Sequence, residues 1–237
     1  MTKNDEFSLI EECREEEVAA PPRTRGLFAR GTFALARIIL PRIWPIEISG
    51  RHHLPTSGPL ILCPNHTSAL DPFCLVPHLP AWLRNNLCVV AKEELFMNPL
   101  TSRLTTIWGG ISIDRYGDFI SALCTAIDAL HEGLPILIYP EGTRSTTDEL
   151  LPFQRGAAKL ALITGAPLIP IRMIGANAIL PPKHYIPTLF NWKERQRMNI
   201  RLIFGPPLFP PKNESGRAIE IQLTKELRQA VADLGGF

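Results

Sequence analysis

A chain of 237 residues, 45% hydrophobic and 20% charged, can build one large domain or two small ones around a real core, which excludes wholesale disorder. Its formal charge of +2 conceals an asymmetry: residues 1–20 hold seven acids and two bases (net −5), leaving sixteen acids and twenty-three bases (net +7) for the rest. A basic body suits a phosphate-bearing partner or an anionic membrane surface, or serves solubility alone, and because its basic residues are not interleaved with aromatics along one face it speaks against nucleic acid.

In chain order, residues 1–22 read as an acidic mobile tail with neither the basic start nor the apolar core of a signal peptide. Residues 23–44 follow as an amphipathic, membrane-surface segment. Leu27, Phe28, Phe33, Leu35, Ile38, Ile39 and Leu40 accompany Arg23, Arg30 and Arg37, which recur every seven residues and so form one basic stripe beside an apolar face. A helix packed on the core with a solvated arginine edge fits the same pattern, and Pro41 is expected to end the helix either way. Residues 45–237 form the remaining domain. Its expected strands are Ile46–Ser49, Leu60–Cys63, Leu87–Ala91, Gly110–Ile113, Ile136–Tyr139, Leu168–Arg172 and Ile200–Phe204. Helices are expected from Asp118, as a cap, through Leu130 with Gly133 beyond it, over 154–164 up to Gly165, and over 217–234. Strands separated by helices predict an α/β fold, a single domain with a largely parallel central sheet flanked by helices, whose sites collect at strand ends. No apolar run reaches the roughly twenty residues of a membrane span. Five cysteines without a C-x-x-C point to a reducing compartment, with no disulfide framework and no zinc site.

Three clusters of chemically active residues follow expected strands. The first is Asn65-His66-Thr67-Ser68-Ala69-Leu70-Asp71-Pro72. With six His and seven Asp in the chain, a chance His-x4-Asp arises about 0.2 times, so context must decide its meaning. On one regular helix the two side chains point some 140° apart, so a working pair needs a strand-to-helix turn, with Thr67 or Ser68 as the cap. There a carboxylate can take the hydrogen of one ring nitrogen and leave the other free as a base. A histidine that caps local backbone is the plainer alternative. The second cluster is Tyr139-Pro140-Glu141-Gly142-Thr143-Arg144-Ser145, where glycine admits close approach and Arg144 offers a fork for phosphate, or else pairs internally with Glu141. The third, Gly109 to Arg115, brings another arginine to a strand end.

Together these residues resemble the glycerolipid acyltransferase family, and specifically its 1-acyl-glycerol-3-phosphate (lysophosphatidate) acyltransferases. Four blocks match in order: 65–72, 110–115 with Asp114-Arg115, Pro140-Glu141-Gly142-Thr143-Arg144-Ser145, and Ala166-Pro167-Leu168-Ile169-Pro170-Ile171. Ala91-Lys92-x-Glu94-Leu95, Phe153-x-x-Gly156 and Phe204-Gly205-Pro206-Pro207 extend the match over about residues 46–210. Gln154 departs from it, standing where relatives commonly have lysine. The resemblance implies an acyltransferase domain at 45–237, His66 as catalytic base, Asp71 as its orienting partner, Arg144, Arg115 and Lys92 as phosphate-binding residues, and Glu141, Gly142 and Thr143 as shapers of the pocket. It implies transfer of a fatty acyl group from acyl-CoA or acyl carrier protein to a lysophospholipid, making phosphatidic acid without cofactor or metal. The expected place is the cytoplasmic face of a membrane, as a peripheral or monotopic protein. Alternative acceptors are glycerol 3-phosphate or another lysolipid.

Two readings from other classes compete. A hydrolase using Ser68 or Cys63 lacks a G-x-S-x-G elbow, and Cys63 sits in an apolar strand. A lipid-surface binding module without catalysis leaves the His66–Asp71 pair and Glu141 to Arg144 without a role.

Overall fold

The computed structural model describes residues 26–92, 97, 99–113, 119–147, 149–184, 186–191, 196–212 and 216–236. The expected tail at 1–22, the cap Asp118, and Arg115 lie outside the described residues. Each expected strand is present within two residues of its predicted ends: β1 Ile46–Ser49, β2 Ile61–Pro64, β3 Cys88–Lys92, β4 Gly110–Ile113, β5 Ile136–Leu137 and β6 Leu168–Ile174. The two-residue strands β7 Phe190–Asn191 and β8 Gln196–Arg197 pair only with each other, and β9 Ile200–Phe204 matches its expected span.

Among the described residues, seven strands form one sheet in the order β1-β9-β6-β2-β5-β3-β4. The strands from β6 to β4 run parallel; β9 joins β6 antiparallel and β1 runs parallel to β9. This is the α/β fold with a largely parallel sheet that the alternation of strands and helices predicts. β2 sits in the middle with every residue buried, which explains its uninterrupted apolar run: a strand covered on both faces has no side to leave polar.

The helices are α1 Leu27–Ile43, α2 Asp71–Leu75, α3 Ala81–Asn86, α4 Pro99–Ile107, α5 Phe119–His131, α6 Gly156–Thr164, α7 Ala176–Ile179 and α8 Arg217–Asp233. The 3.6-residue period of α5 turns Leu123, Ile127 and Leu130 into one core, which they share with Ile61, Cys63 and Leu168 of the sheet and with Leu160, Leu223 and Leu227 from α6 and α8. On the other face Leu62, Ile169, Ile171 and Phe204 pack against Phe33 of α1, Leu75 of α2 and Leu83 of α3. Gly165 ends α6 at φ 72°, the left-handed conformation that glycine takes without strain.

Two local expectations are corrected. Pro41 lies inside α1, which continues to Ile43. A proline removes one amide donor and crowds the carbonyl four residues back, but here less than a turn follows, and the Trp44 amide still bonds Leu40 O at 2.8 Å. Neither Thr67 nor Ser68 caps α2; its N-cap is Leu70, without a side-chain cap bond. Ser68 Oγ instead donates to Leu180 O at 2.8 Å and accepts the Leu70 amide at 3.1 Å, since its burial demands both partners.

Candidate active site

Because β2 pairs in parallel with β5, with Ile61 opposite Ile136 and Leu62 opposite Leu137, the segments leaving their C-terminal ends run side by side. The first carries His66 and Asp71; the second carries Tyr139 to Ser145. β3 and β4 end at the same edge of the sheet. That brings the end of β3, with Lys92 at its last position, one strand beyond β5, and the end of β4 two strands beyond.

His66 stands past the end of β2 and Asp71 opens α2, so the pair spans the strand-to-helix turn that the spacing requires. His66 Nδ1 lies 2.8 Å from Asp71 Oδ2. The same oxygen accepts the amides of Thr67 at 2.8 Å and Ser68 at 2.9 Å. Asp71 is fully buried, where an unpaired carboxylate would be expensive, and three groups converge on its Oδ2 as acceptor. Facing that acceptor, Nδ1 carries the hydrogen. Nε2 then holds the lone pair, on a side chain that is 20% exposed, and it makes no hydrogen bond among the described residues.

The loop from β5 clamps the backbone of His66 from both sides. Its N–H donates to Glu141 Oε1 at 3.1 Å, and its carbonyl accepts the Ser145 amide at 2.8 Å. A tight turn closed by the Gly142 amide on Tyr139 O at 3.0 Å, with Gly142 at φ 68°, aims the Glu141 carboxylate back at β2. Burial raises the Glu141 pKa to about 7; the amides of His66 and Leu151 and the charge of Arg172 oppose the rise, and Asp71 adds to it. Tyr139, half-buried, lays its ring on the His66 imidazole, centroids 4.0 Å apart and planes 26° off parallel. Behind the site Asn65 anchors the turn to β6, its Nδ2 donating to Met173 O at 3.0 Å and its Oδ1 accepting the Met173 amide at 2.6 Å.

The structure thus brings His66, Asp71, Glu141 and Gly142 together and sets Thr143 and Arg144 on the exposed side of the loop. Arg144 makes no ion pair with Glu141, whose carboxylate is turned to the His66 amide. The amides of His66, Thr67 and Ser68 are committed to the carboxylates of Glu141 and Asp71. The hydrolase alternative loses both nucleophiles: Ser68 Oγ is bonded to Leu180 O, and Cys63 is fully buried with its thiol pKa driven up by burial. Sequence reasoning assigned no role to Tyr139, Asn65 or Arg172. Arg172 carried a signal, a lone charge inside the apolar run 168–174; the others sat inside the quoted blocks without a residue type that betrays their task.

The acyltransferase family model matches residues 45–174, which hold the whole of this arrangement. The chain belongs to the acyltransferase family. Among similar proteins, the 1-acyl-sn-glycerol-3-phosphate acyltransferase alpha of Homo sapiens is 36% identical over 132 residues, 54% of this chain and 45% of the relative. A 1-acyl-sn-glycerol-3-phosphate acyltransferase of Chlamydomonas reinhardtii is 28% identical over 194 residues, 80% of this chain and 52% of the relative. This acyltransferase chain spans about half the length of the curated relatives it matches. The crystal structure of the 1-acyl-sn-glycerophosphate (LPA) acyltransferase of Thermotoga maritima shares the fold, with a TM-score of 0.63 at 20% identity, covering 100% of this chain and 85% of that one.

Proposed function

We propose that this acyltransferase moves a fatty acyl group from a thioester, acyl-CoA or acyl carrier protein, to the free hydroxyl of 1-acyl-glycerol 3-phosphate, giving phosphatidic acid. The observation that carries the reading is the His66–Asp71 pair, Nδ1 to Oδ2 at 2.8 Å, with the opposite ring edge partly exposed. Nε2 takes the acceptor's hydroxyl proton as that oxygen attacks the thioester carbonyl, and Asp71 stabilises the imidazolium formed. The tetrahedral adduct collapses, the carbon–sulfur bond breaks, and the departing thiolate receives the proton from His66. The step balances with the chain's own groups and the two substrates, so no cofactor is called for.

The acceptor's phosphate is assigned to Arg144, exposed and without an ion pair among the described residues, with Arg115 and Lys92 as further cations. Fixing the phosphate holds the hydroxyl against Nε2, which is catalysis by proximity. We assign the protein to the cytoplasmic face of a membrane, peripheral or monotopic, because α1 exposes Leu27, Phe28, Leu35, Ile38 and Ile39 along with Arg30 and Arg37, and no helix among the described residues is long and apolar enough to cross a membrane.

The test is an acyl-transfer assay with lysophosphatidate and both donor types. His66→Ala should abolish transfer and Asp71→Asn lower kcat roughly 10²- to 10⁴-fold with the fold intact by circular dichroism. Transfer by His66→Ala within tenfold of wild type defeats the mechanism. Arg144→Ala should lower kcat/KM about tenfold or more for the phosphorylated acceptor and leave an unphosphorylated lysolipid unaffected; equal loss on both removes the phosphate assignment.

A further inference from the structure

On the same face as α1, four cations gather around one turn. α1 packs on the single turn Val76–His78, and Arg30 and Arg37, seven residues apart, lie within about 20° of one another on its exposed surface. Arg51, from the turn after β1, donates Nη2 to His78 O, and Arg84 of α3 donates Nη1 to Pro77 O at 3.1 Å and Leu79 O at 3.3 Å. These acceptors are neutral carbonyls; they fix the two guanidiniums without neutralising them. No carboxylate among the described residues pairs with any of the four.

The charges feel one another. Burial, then the charge of Arg37, lowers the Arg51 pKa, and burial, then Arg37 and Arg30, lowers that of Arg84. His78 is 6% exposed, its Nδ1 bound to Cys74 O at 2.8 Å and its Nε2 buried without a hydrogen-bond partner among the described residues. Burial lowers its pKa first; the Cys74 bond opposes this, and every charge acting on it, Arg51, Arg37 and Arg84, is positive and lowers it further. A fold that holds like charges together in this way gains from an anion placed among them.

We infer that Arg30, Arg37, Arg51 and Arg84 form a binding site for the anionic headgroup of a phospholipid, separate from the acceptor site at Arg144. The helix decides the class of ligand. Beyond its arginine edge α1 exposes Leu27 (84%), Leu35 (57%) and Ile38 (54%), so the occupant must present negative charge and hydrocarbon side by side, as a phospholipid surface does and a soluble anion does not. The inference rests on the membrane-surface reading of α1 and adds to it a preference for lipid charge.

Cosedimentation separates the two. The full chain is mixed with vesicles of phosphatidylcholine alone, or of phosphatidylcholine with one fifth phosphatidylglycerol. Arg30→Gln/Arg37→Gln, both exposed and outside the catalytic pair, should weaken binding to the anionic vesicles about 10- to 30-fold and leave the neutral ones unchanged. The same charge change elsewhere, Lys212→Gln/Lys225→Gln, should weaken it less than threefold. Equal binding of wild type and the arginine variant to anionic vesicles, or equal loss in both variants, overturns the site while membrane association stands. Binding to anionic vesicles only after removal of residues 1–22 also overturns it, by making the acidic tail the occupant. Failure of wild type to sediment with either vesicle, with or without the tail, overturns the membrane reading and the inference with it.

Discussion

At the scale of the residue, the His66 ring is held at its edge by Asp71 and on its face by Tyr139, 4.0 Å between centroids. The carboxylate selects the tautomer. The aromatic face restrains rotation about the ring's side-chain bonds. The Tyr139 hydroxyl is buried without a hydrogen-bond partner among the described residues, so the ring, not the oxygen, makes the useful contact. Tyr139→Phe should therefore keep wild-type kcat and unfold at equal or slightly higher urea concentration. Tyr139→Leu should lower kcat about tenfold with little change in KM, because the imidazole loses the contact that holds its orientation. Steady-state kinetics and urea unfolding of the two variants check both; an unchanged kcat in Tyr139→Leu leaves the tyrosine a packing residue only. None of this was legible beforehand, as a tyrosine at the end of an apolar run reads as core.

At the scale of the element, Asn65 prolongs β2 by one rung. Its amide side chain exchanges two hydrogen bonds with the backbone of Met173 in β6, as a strand residue would. Asn65→Leu leaves a buried amide and a buried carbonyl unpaired, and should lower the unfolding free energy by about 2–4 kcal/mol, measured by urea titration, with a matching loss of activity as the turn drifts. A change under about 0.5 kcal/mol means that the side-chain bonds are not needed to hold the turn. The long elements were readable because burial imposes a period on the chain: continuous in β2, 3.6 residues in α5. α3, α4, α7 and the β7–β8 pair were not expected; in α3, α7 and the pair, fewer than two turns or three strand residues carry no period to read. Pro41 misled for a related reason: local propensity forbids a proline inside a long helix, yet tolerates it one turn from the end.

For the whole molecule, Glu141 ties the order of the loop around His66 to stability. Its folded pKa, about 7 against an ordinary 4.5, means that below pH 4.5 it is protonated folded or unfolded and stability is full. As pH rises through this window the unfolded chain releases the proton first, so stability falls until about pH 7 and levels off. The span corresponds to roughly 3 kcal/mol at most. Glu141→Gln removes the titration, and urea unfolding at pH 4.5, 6 and 8 should show the variant gaining on wild type with each step. Parallel curves would mean that Glu141 ionises alike in both states. Against this penalty the carboxylate accepts the His66 amide, which fixes the backbone of the turn that carries His66.

The sequence by itself determined the order of the strands along the chain, the two blocks that carry His66–Asp71 and Glu141–Arg144, and the resemblance to acyltransferases, because periodicity and spacing are relations between neighbours in the chain. Only the tertiary structure decided which groups those blocks engage: three donors on one oxygen of Asp71, Glu141 and Ser145 on the His66 backbone, Tyr139 on its ring, and arginines from three segments around the turn at His78. These contacts join residues such as His66 and Glu141, 75 positions apart, and their meeting depends on the parallel register of β2 and β5, which no local pattern encodes.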